Sequence, residues 1–342
     1  MREPQVLNEL RRMSARVGRN ILLVQGAGGN SSLKDGDVLW VKASGTWLSD
    51  AEDKDIFVPV ALSAARAALA AGDERAPLAP GAQTTLRASI ETALHALMPH
   101  PVVLHVHSVN TIAWAARTDA GEEFAERLQG LSWRRLGYHH PGLPLAQAVQ
   151  ETIAQGRIDV LVLGNHGLVV GAATSAEAEA LVADVETRLA LPPRNAAAAD
   201  HDALLRMCAD TDYRLPGDPL SHGSATDPHS LSIATRGSLY PDHVVFLGPA
   251  MPVLAADASL AAESARVAAV GLPPPVAYLI PGTGTLIRKD VSAGAEAMLS
   301  CLALVTGRLP LTANITYLSA ANEQALLNWD AEHYRQQLTA NR

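Results

Sequence analysis

Long apolar runs are missing from this 342-residue sequence. No stretch approaches the ~20 consecutive apolar residues that a membrane-spanning helix needs, so no membrane partner is expected. Cysteine is nearly absent. Cys208 and Cys301 lack C-x-x-C spacing and are too few for a disulfide framework, so both are expected as buried, reduced thiols. Aromatic residues make up only 4% of the chain, which leaves the cores to aliphatic packing. A basic stripe is also missing. The net charge is −8 and the Arg134-Arg135 pair is too short to serve, so nucleic acid is excluded as an expected partner. An anionic small molecule is not excluded, because a nest of backbone N–H groups can hold one. The opening MREPQVLNELRRMS carries no apolar signal core, which predicts a cytoplasmic protein.

What is present is a globular composition, 48% hydrophobic and 18% charged. Helical periodicity runs over residues 4–17, 60–71, 89–98, 145–155 and 175–189, the last with Ser175 as N-cap. Short apolar strands fall at 102–106, 159–163 and 167–171, and Asp35-Gly36 signals a hairpin. Beyond Leu191-Pro192-Pro193 the composition shifts to Pro, Asp, His and Ser. The expected division is therefore a first domain over 1–190, a connecting region over 191–230 and a smaller α/β domain over 231–342. In that last part, His243–Leu247 and 276–280 read as strands, 261–269 and 293–304 as helices, and 323–338 as a helix carrying Trp329 and Tyr334. Residues 165–181 and 282–298 echo each other, with Thr283 where the first copy has His166. Both a duplication and two independent Ala-rich strand–turn–helix units satisfy that pattern.

Chemistry concentrates at a few histidines. His105 and His107 flank Val106 at the end of a buried apolar run, and strand alternation sends both to one face. His166 lies in Gly164-Asn165-His166-Gly167, at the end of a second apolar run, where glycines permit a tight turn. Three neutral imidazoles with one open position make a catalytic zinc pattern. By itself an H-x-H pair is more often a packed or surface feature than a ligand pair. The remaining histidines, His95 and His243 among them, are read as ordinary packed or surface groups.

Five motifs occur in order: GAGGNSS (26–32), KASG (42–45), SIE (89–91), HVH (105–107) and NHG (165–167). In these the chain resembles the class II aldolase/adducin family over about its first 190 residues. The resemblance implies a three-layer α/β/α fold around a mainly antiparallel sheet, and a homotetramer with sites at subunit contacts. It implies His105, His107 and His166 as ligands of Zn²⁺, or of another divalent transition metal such as Mn²⁺. Glu91 matches the proton-exchanging carboxylate. Gly29, Asn30, Ser44, Gly45 and Ser89 match the positions that hold a substrate phosphate. The tyrosine that protonates the leaving aldehyde has Tyr138, in GYHHPG, as its candidate. The implied activity is carbon–carbon cleavage of a small carbohydrate through an enediolate.

Two departures matter. The family's phosphate aldolases carry two serines before the glutamate, whereas Ile90 directly precedes Glu91 here. One hydroxyl is lost, which favours a non-phosphorylated sugar acid or keto acid and keeps decarboxylation open. Family epimerases tend to carry aspartate at this position, so epimerisation ranks lower. The second half looks like the later aldolase region of bacterial aldolase/short-chain-dehydrogenase fusions, yet no G-x-G-x-x-G follows a strand in it, so no dehydrogenase half is expected within these residues. A non-catalytic module of the adducin type expects the metal histidines to be lost, and all three are present.

Overall fold

The computed structural model describes residues 3–330 together with Glu332 and Leu338. The chain divides into two compact units, one of residues 1–115 and 120–190, the other of residues 116–119 and 191–342.

The first unit carries helices α1 (Val6–Gly18), α2 (Leu62–Ala70), α3 (Thr92–Leu97), α4 (Val109–Ala115), α5 (Gly121–Arg127), α6 (Leu143–Ile153) and α7 (Ser175–Arg188). Its strands are β1 (Asn30–Asp35), β2 (Val38–Lys42), β3 (Phe57–Ala61), β4 (Val102–Val106), β5 (Trp133–Leu136), β6 (Val160–Leu163) and β7 (Gly167–Ala172). They form one sheet in the order β3-β2-β1-β4-β7-β6-β5. Every pairing is antiparallel except β5 with β6, so the expected mainly antiparallel sheet is found.

Alternation along β1 sorts the helices onto two faces. Ser31 meets Ser14 of α1 at 2.7 Å, while the next residue, Ser32, meets His95 of α3 at 2.7 Å. On the α3 side, α2, α3 and α6 bury Ala65, Leu94, Ala96, Leu145 and Val149 against Val41, Val58, Val103, Leu161 and Val169 of the sheet. On the α1 side, Leu7, Leu10, Met13 and Val17 follow the three-to-four spacing of a helix stripe and are buried. Full burial of each such side chain contributes about 2 kcal/mol relative to exposure.

The second unit holds α8 (His201–Cys208), α9 (Gly223–Thr226), α10 (Pro228–Ala234), α11 (Pro241–Leu247), α12 (Leu260–Ala269), α13 (Ala293–Thr306) and α14 (Ala320–Leu327). Its strands β8 (Tyr213–Arg214), β9 (Ala277–Ile280) and β10 (Gly284–Arg288) make an antiparallel sheet in the order β8-β10-β9. Cys208 and Cys301 are both free and buried. Burial pushes the Cys301 thiol up to about 12, so it stays protonated.

Several expectations are corrected. Residues 191–230 are no linker, because β8 pairs with β10 and α8 packs into the unit's core through Leu204 and Cys208. The aspartates that suggested a loop are helix caps: Asp200 accepts from Ala203 N–H, Asp218 from Leu220 N–H, and Asp227 from His229 and Ser230 N–H. His243–Leu247 is helical, not extended. Pro241 starts α11 after the extended Tyr240, and all seven of its residues are buried, which erases the helical period. Thr174, not Ser175, caps α7 by accepting from Glu177 N–H. Residues 57–61 form β3 ahead of the expected helix. Tyr334, placed in the expected C-terminal helix, lies outside the described residues.

The sequence echo has a structural counterpart. In β6–β7, Leu163 faces Gly167 and Val160 faces Val170. In β9–β10, Ile280 faces Gly284 and Ala277 faces Ile287, each residue 117 positions beyond its counterpart. The connecting turns match as well, with left-handed Asn165 (φ 51°) answered by Gly282 (φ 70°). β10 pairs on with β8 as β7 pairs with β4, Ile287 facing Arg214 as Val170 faces Leu104. In that second hairpin Thr283 stands where His166 stands in the first.

His243 gives a stability prediction. It is fully buried, its Nδ1 accepts from Leu239 N–H at 3.3 Å, and burial pushes its pKa down to about 3. Below pH ~6.5 the unfolded chain takes up a proton that the folded imidazole refuses, so stability falls as the pH drops from ~6.5 towards 3. His243→Asn is expected to reduce the slope of unfolding free energy against pH by up to ~1.4 kcal/mol per pH unit in that window. Urea unfolding at pH 4, 5, 6 and 7 checks this, and an unchanged slope contradicts it.

Candidate metal centre

The site grows from one strand pairing. Asn30 of β1 sits opposite His105 of β4, and His105 opposite Val169 of β7, so these side chains share the α3 face. His107 follows β4 two residues later, and His166 lies in the turn joining β6 to β7. That turn presses close: a Cβ added at Gly167 would fall 2.5 Å from the Val106 carbonyl oxygen. Gly29 does the same from the other side. Its φ is 61° and a Cβ there would lie 2.9 Å from the carbonyl oxygen of His105. A side chain at either position would push the neighbouring strand away from the histidines.

The three imidazoles converge. Ring centroids are 4.9 Å apart for His105 and His107, 5.0 Å for His105 and His166, and 5.3 Å for His107 and His166. One nitrogen from each lies within 4.8 Å of the others, and all three residues are buried. The Nδ1–H of His105 donates to the Leu168 carbonyl at 3.0 Å, which turns its Nε2 lone pair inward. The Nε2 atoms of His105 and His107 stand 3.1 Å apart. Three buried nitrogen donors with no carboxylate among them suit a tetrahedral borderline ion.

Glu91 completes the cluster from the start of α3, at that helix's N-cap position. Its Oε2 lies 3.4 Å from His105 Nε2 and its Oε1 3.5 Å from His166 Nε2. Burial alone would raise its pKa. The imidazoles of His105, His166 and His107, with a hydrogen bond from Asn30, outweigh that and bring it down to about 2. That balance favours the carboxylate form of Glu91.

Of the other expected site residues, Asn30 contacts this carboxylate and Ser89 Oγ accepts from the Glu91 N–H. Asn30 Nδ2 donates to Glu91 Oε2 at 2.7 Å and to Ser89 Oγ at 3.3 Å. Asn30, expected to hold a substrate anion, thus has one amide edge already engaged with Glu91. Ser89 N–H bonds the Lys42 carbonyl and Ser44 N–H the Arg87 carbonyl, which sets the 42–45 turn beside Ser89. Gly45 follows with φ 74°. Tyr138 lies in the loop after β5, its backbone packed against Gly164 at the start of the His166 turn.

Two residues of this neighbourhood were not singled out from the sequence. Lys42 is buried, and its ammonium donates at 2.9 Å to the carbonyls of both Ala27 and Gly29, fixing the glycine-rich turn from beneath. Its place in KASG, beside Ser44, was the available signal. His95 stands one helical turn after Glu91, the i,i+4 spacing that puts both on one face of α3. Its imidazole touches Asn30 Oδ1 through Nε2 and Ser32 Oγ through Nδ1, and burial keeps it neutral with a pKa of about 3.

This is a helix–sheet–helix α/β sandwich bearing a buried tri-histidine cluster that could hold a metal ion beside a carboxylate. Residues 8–191 match the family described as Class II Aldolase and Adducin N-terminal domain, and the chain belongs to it. The N-terminal Class II Aldolase domain of a conserved protein from Thermoplasma acidophilum is similar, with 26% identity over 55% of this chain and 94% of that one, and a TM-score of 0.47. An L-fuculose 1-phosphate aldolase is similar at 19% identity over 55% of this chain and 85% of that one, with a TM-score of 0.43. The Uncharacterized oxidoreductase YuxG of Bacillus subtilis (strain 168) is 33% identical over 90 residues, 26% of this chain, and only 13% of that relative's length is matched. Membership gives an aldolase-like function at the level of the family. Among the described residues no helix is long and apolar enough to cross a membrane.

Purified protein is expected to hold one divalent transition-metal ion per chain. Replacing His105 or His166 with alanine leaves two imidazoles and should weaken binding by more than about 100-fold. Elemental analysis, with titration against a chromophoric chelator, measures both. Equal metal content in wild type and variants would remove these side chains from the site.

Proposed function

We propose that the protein is a metal-dependent carbon–carbon lyase acting on a small carbohydrate, with His105, His107 and His166 as ligands of Zn²⁺ and Glu91 as the proton carrier. The observation that carries this reading is the position of Glu91, 3.4 Å and 3.5 Å from two of the three imidazole nitrogens that would ligate the ion. A bound divalent ion supplies Lewis-acid stabilisation of the negative charge that develops when the bond beta to a carbonyl breaks. Glu91, favoured as a carboxylate, takes up or returns the proton on carbon. Asn30 fixes one carboxylate oxygen by its 2.7 Å hydrogen bond and leaves the other for that exchange. Gly29, Ser44, Gly45 and Ser89 offer a small-residue wall, with hydroxyls, to the far end of the substrate. Tyr138 is the proposed donor to the leaving aldehyde, in a homotetramer whose subunit contacts complete the site, as the family resemblance implies.

Ile90 favours a particular substrate class. An isoleucine directly before Glu91 offers no hydroxyl to a phosphate, which supports a sugar acid or keto acid, with loss of CO₂ as the alternative outcome of the same charge development. Epimerisation is less favoured, because Glu91 is not an aspartate.

The test is a screen of sugar phosphates and sugar acids for aldehyde or CO₂ release by zinc-loaded protein. Glu91→Gln should keep the ion and lower kcat by at least about 10³-fold, since an amide cannot exchange protons. Undiminished turnover by that variant on the substrate found would take Glu91 out of the chemistry.

A further inference from the structure

We propose that His95 is a positioning residue that locks the Asn30 amide as a donor to one oxygen of Glu91, so that proton exchange is confined to the other oxygen. The proposal rests on the assignment of Glu91 as the proton carrier. Four side chains carry it: Ser32, His95, Asn30 and Glu91, all buried.

An asparagine amide presents a donor edge and an acceptor edge, and its neighbours decide which faces where. Asn30 lies between a carboxylate and an imidazole. Its Nδ2 is 2.7 Å from Glu91 Oε2, and its Oδ1 meets His95 Nε2. The opposite orientation would set a carbonyl oxygen against the carboxylate. A neutral imidazole carries one N–H, so the tautomer settles the matter. With Nε2 protonated, His95 donates to Asn30 Oδ1, and its Nδ1 accepts from the Ser32 hydroxyl 2.7 Å away. Every donor in the chain then points the same way, from Ser32 through His95 and Asn30 to Glu91. With Nδ1 protonated, His95 Nε2 would face Asn30 Oδ1 lone pair to lone pair, and the amide would be driven to flip.

The consequence falls on Glu91. Oε2 accepts from Asn30, so a proton arriving there would break that bond. Both oxygens face imidazoles, Oε2 at 3.4 Å from His105 Nε2 and Oε1 at 3.5 Å from His166 Nε2, but Oε1 makes no hydrogen bond and is the one left open. A proton taken from substrate carbon therefore settles on Oε1 and is returned from it. The i,i+4 spacing of Glu91 and His95 on α3 keeps the carboxylate and its orienting imidazole on one rigid element.

Two measurements test this. Metal-free protein labelled with ¹⁵N at histidine should give one imidazole spin system that is absent from His95→Phe, and it should belong to the Nε2-protonated tautomer. Assignment to the Nδ1-protonated tautomer overturns the proposal. On the zinc-loaded protein, His95→Phe should lower kcat by about 10²-fold with KM and zinc content nearly unchanged, and His95→Gln, whose amide nitrogen can occupy the place of Nε2, should recover most of the loss. Full kcat in His95→Phe, or no recovery in a folded His95→Gln, overturns it. Should wild type turn over no carbohydrate, the lyase reading fails while the tautomer still decides the hydrogen-bond chain. Should His95→Phe not fold, His95→Gln supplies both the missing spin system and the kinetics.

Discussion

The pairing of Asn30 with His105 across β1 and β4 is the contact on which the rest depends. It puts an amide and a metal-type imidazole side by side on one face of the sheet, at the end where both strands give way to turns. A slip of one residue in that register would send Asn30 and His105 to opposite faces of the sheet and break the contact of Asn30 with Glu91. Burying a carboxylate with three imidazoles is costly unless their charges and hydrogen bonds answer one another. Here Asn30 and the imidazoles around Glu91 do so. The tight seat of Gly29 on the His105 carbonyl and of Gly167 on the Val106 carbonyl closes the arrangement from two sides.

Much of this was legible from residue order. Strand alternation put His105 and His107 on one face and the glycine-flanked turn marked His166, but the reading of the three as ligands needed the resemblance carried by the five ordered motifs. The apolar strands and most helices of the first unit were legible because each depends on local geometry. The Asn30–Glu91 contact was not, since it joins residues 61 positions apart through a sheet register and a helix start that no local pattern specifies. Nor was His95. A buried histidine looks ordinary until the tautomer demanded by its two neighbours is known. In the second unit, Asp200, Asp218 and Asp227 resemble loop residues in composition because loops and caps draw on the same polar side chains. Residues 241–247 carry no helical period because no face of α11 meets water.

The two units differ in how their polar groups are used. In the first, Asn30, Ser89 and the imidazoles of His105 and His166 gather around Glu91. In the second, His243 rests on the Leu239 amide and Ser221 on Ser300. The half-buried Arg194 is held by Asp227, Ser230 and the Thr306 carbonyl. These contacts hold helices and connecting segments together within that unit.

The shared register of β6–β7 and β9–β10 has a consequence for how such a centre can arise or vanish. The hairpin, its left-handed turn residue and the helix after it persist with Thr283 in the place of His166. The same hairpin therefore carries a histidine in one unit and a threonine in the other. Ligand chemistry at this turn is thus separable from the hairpin that carries it.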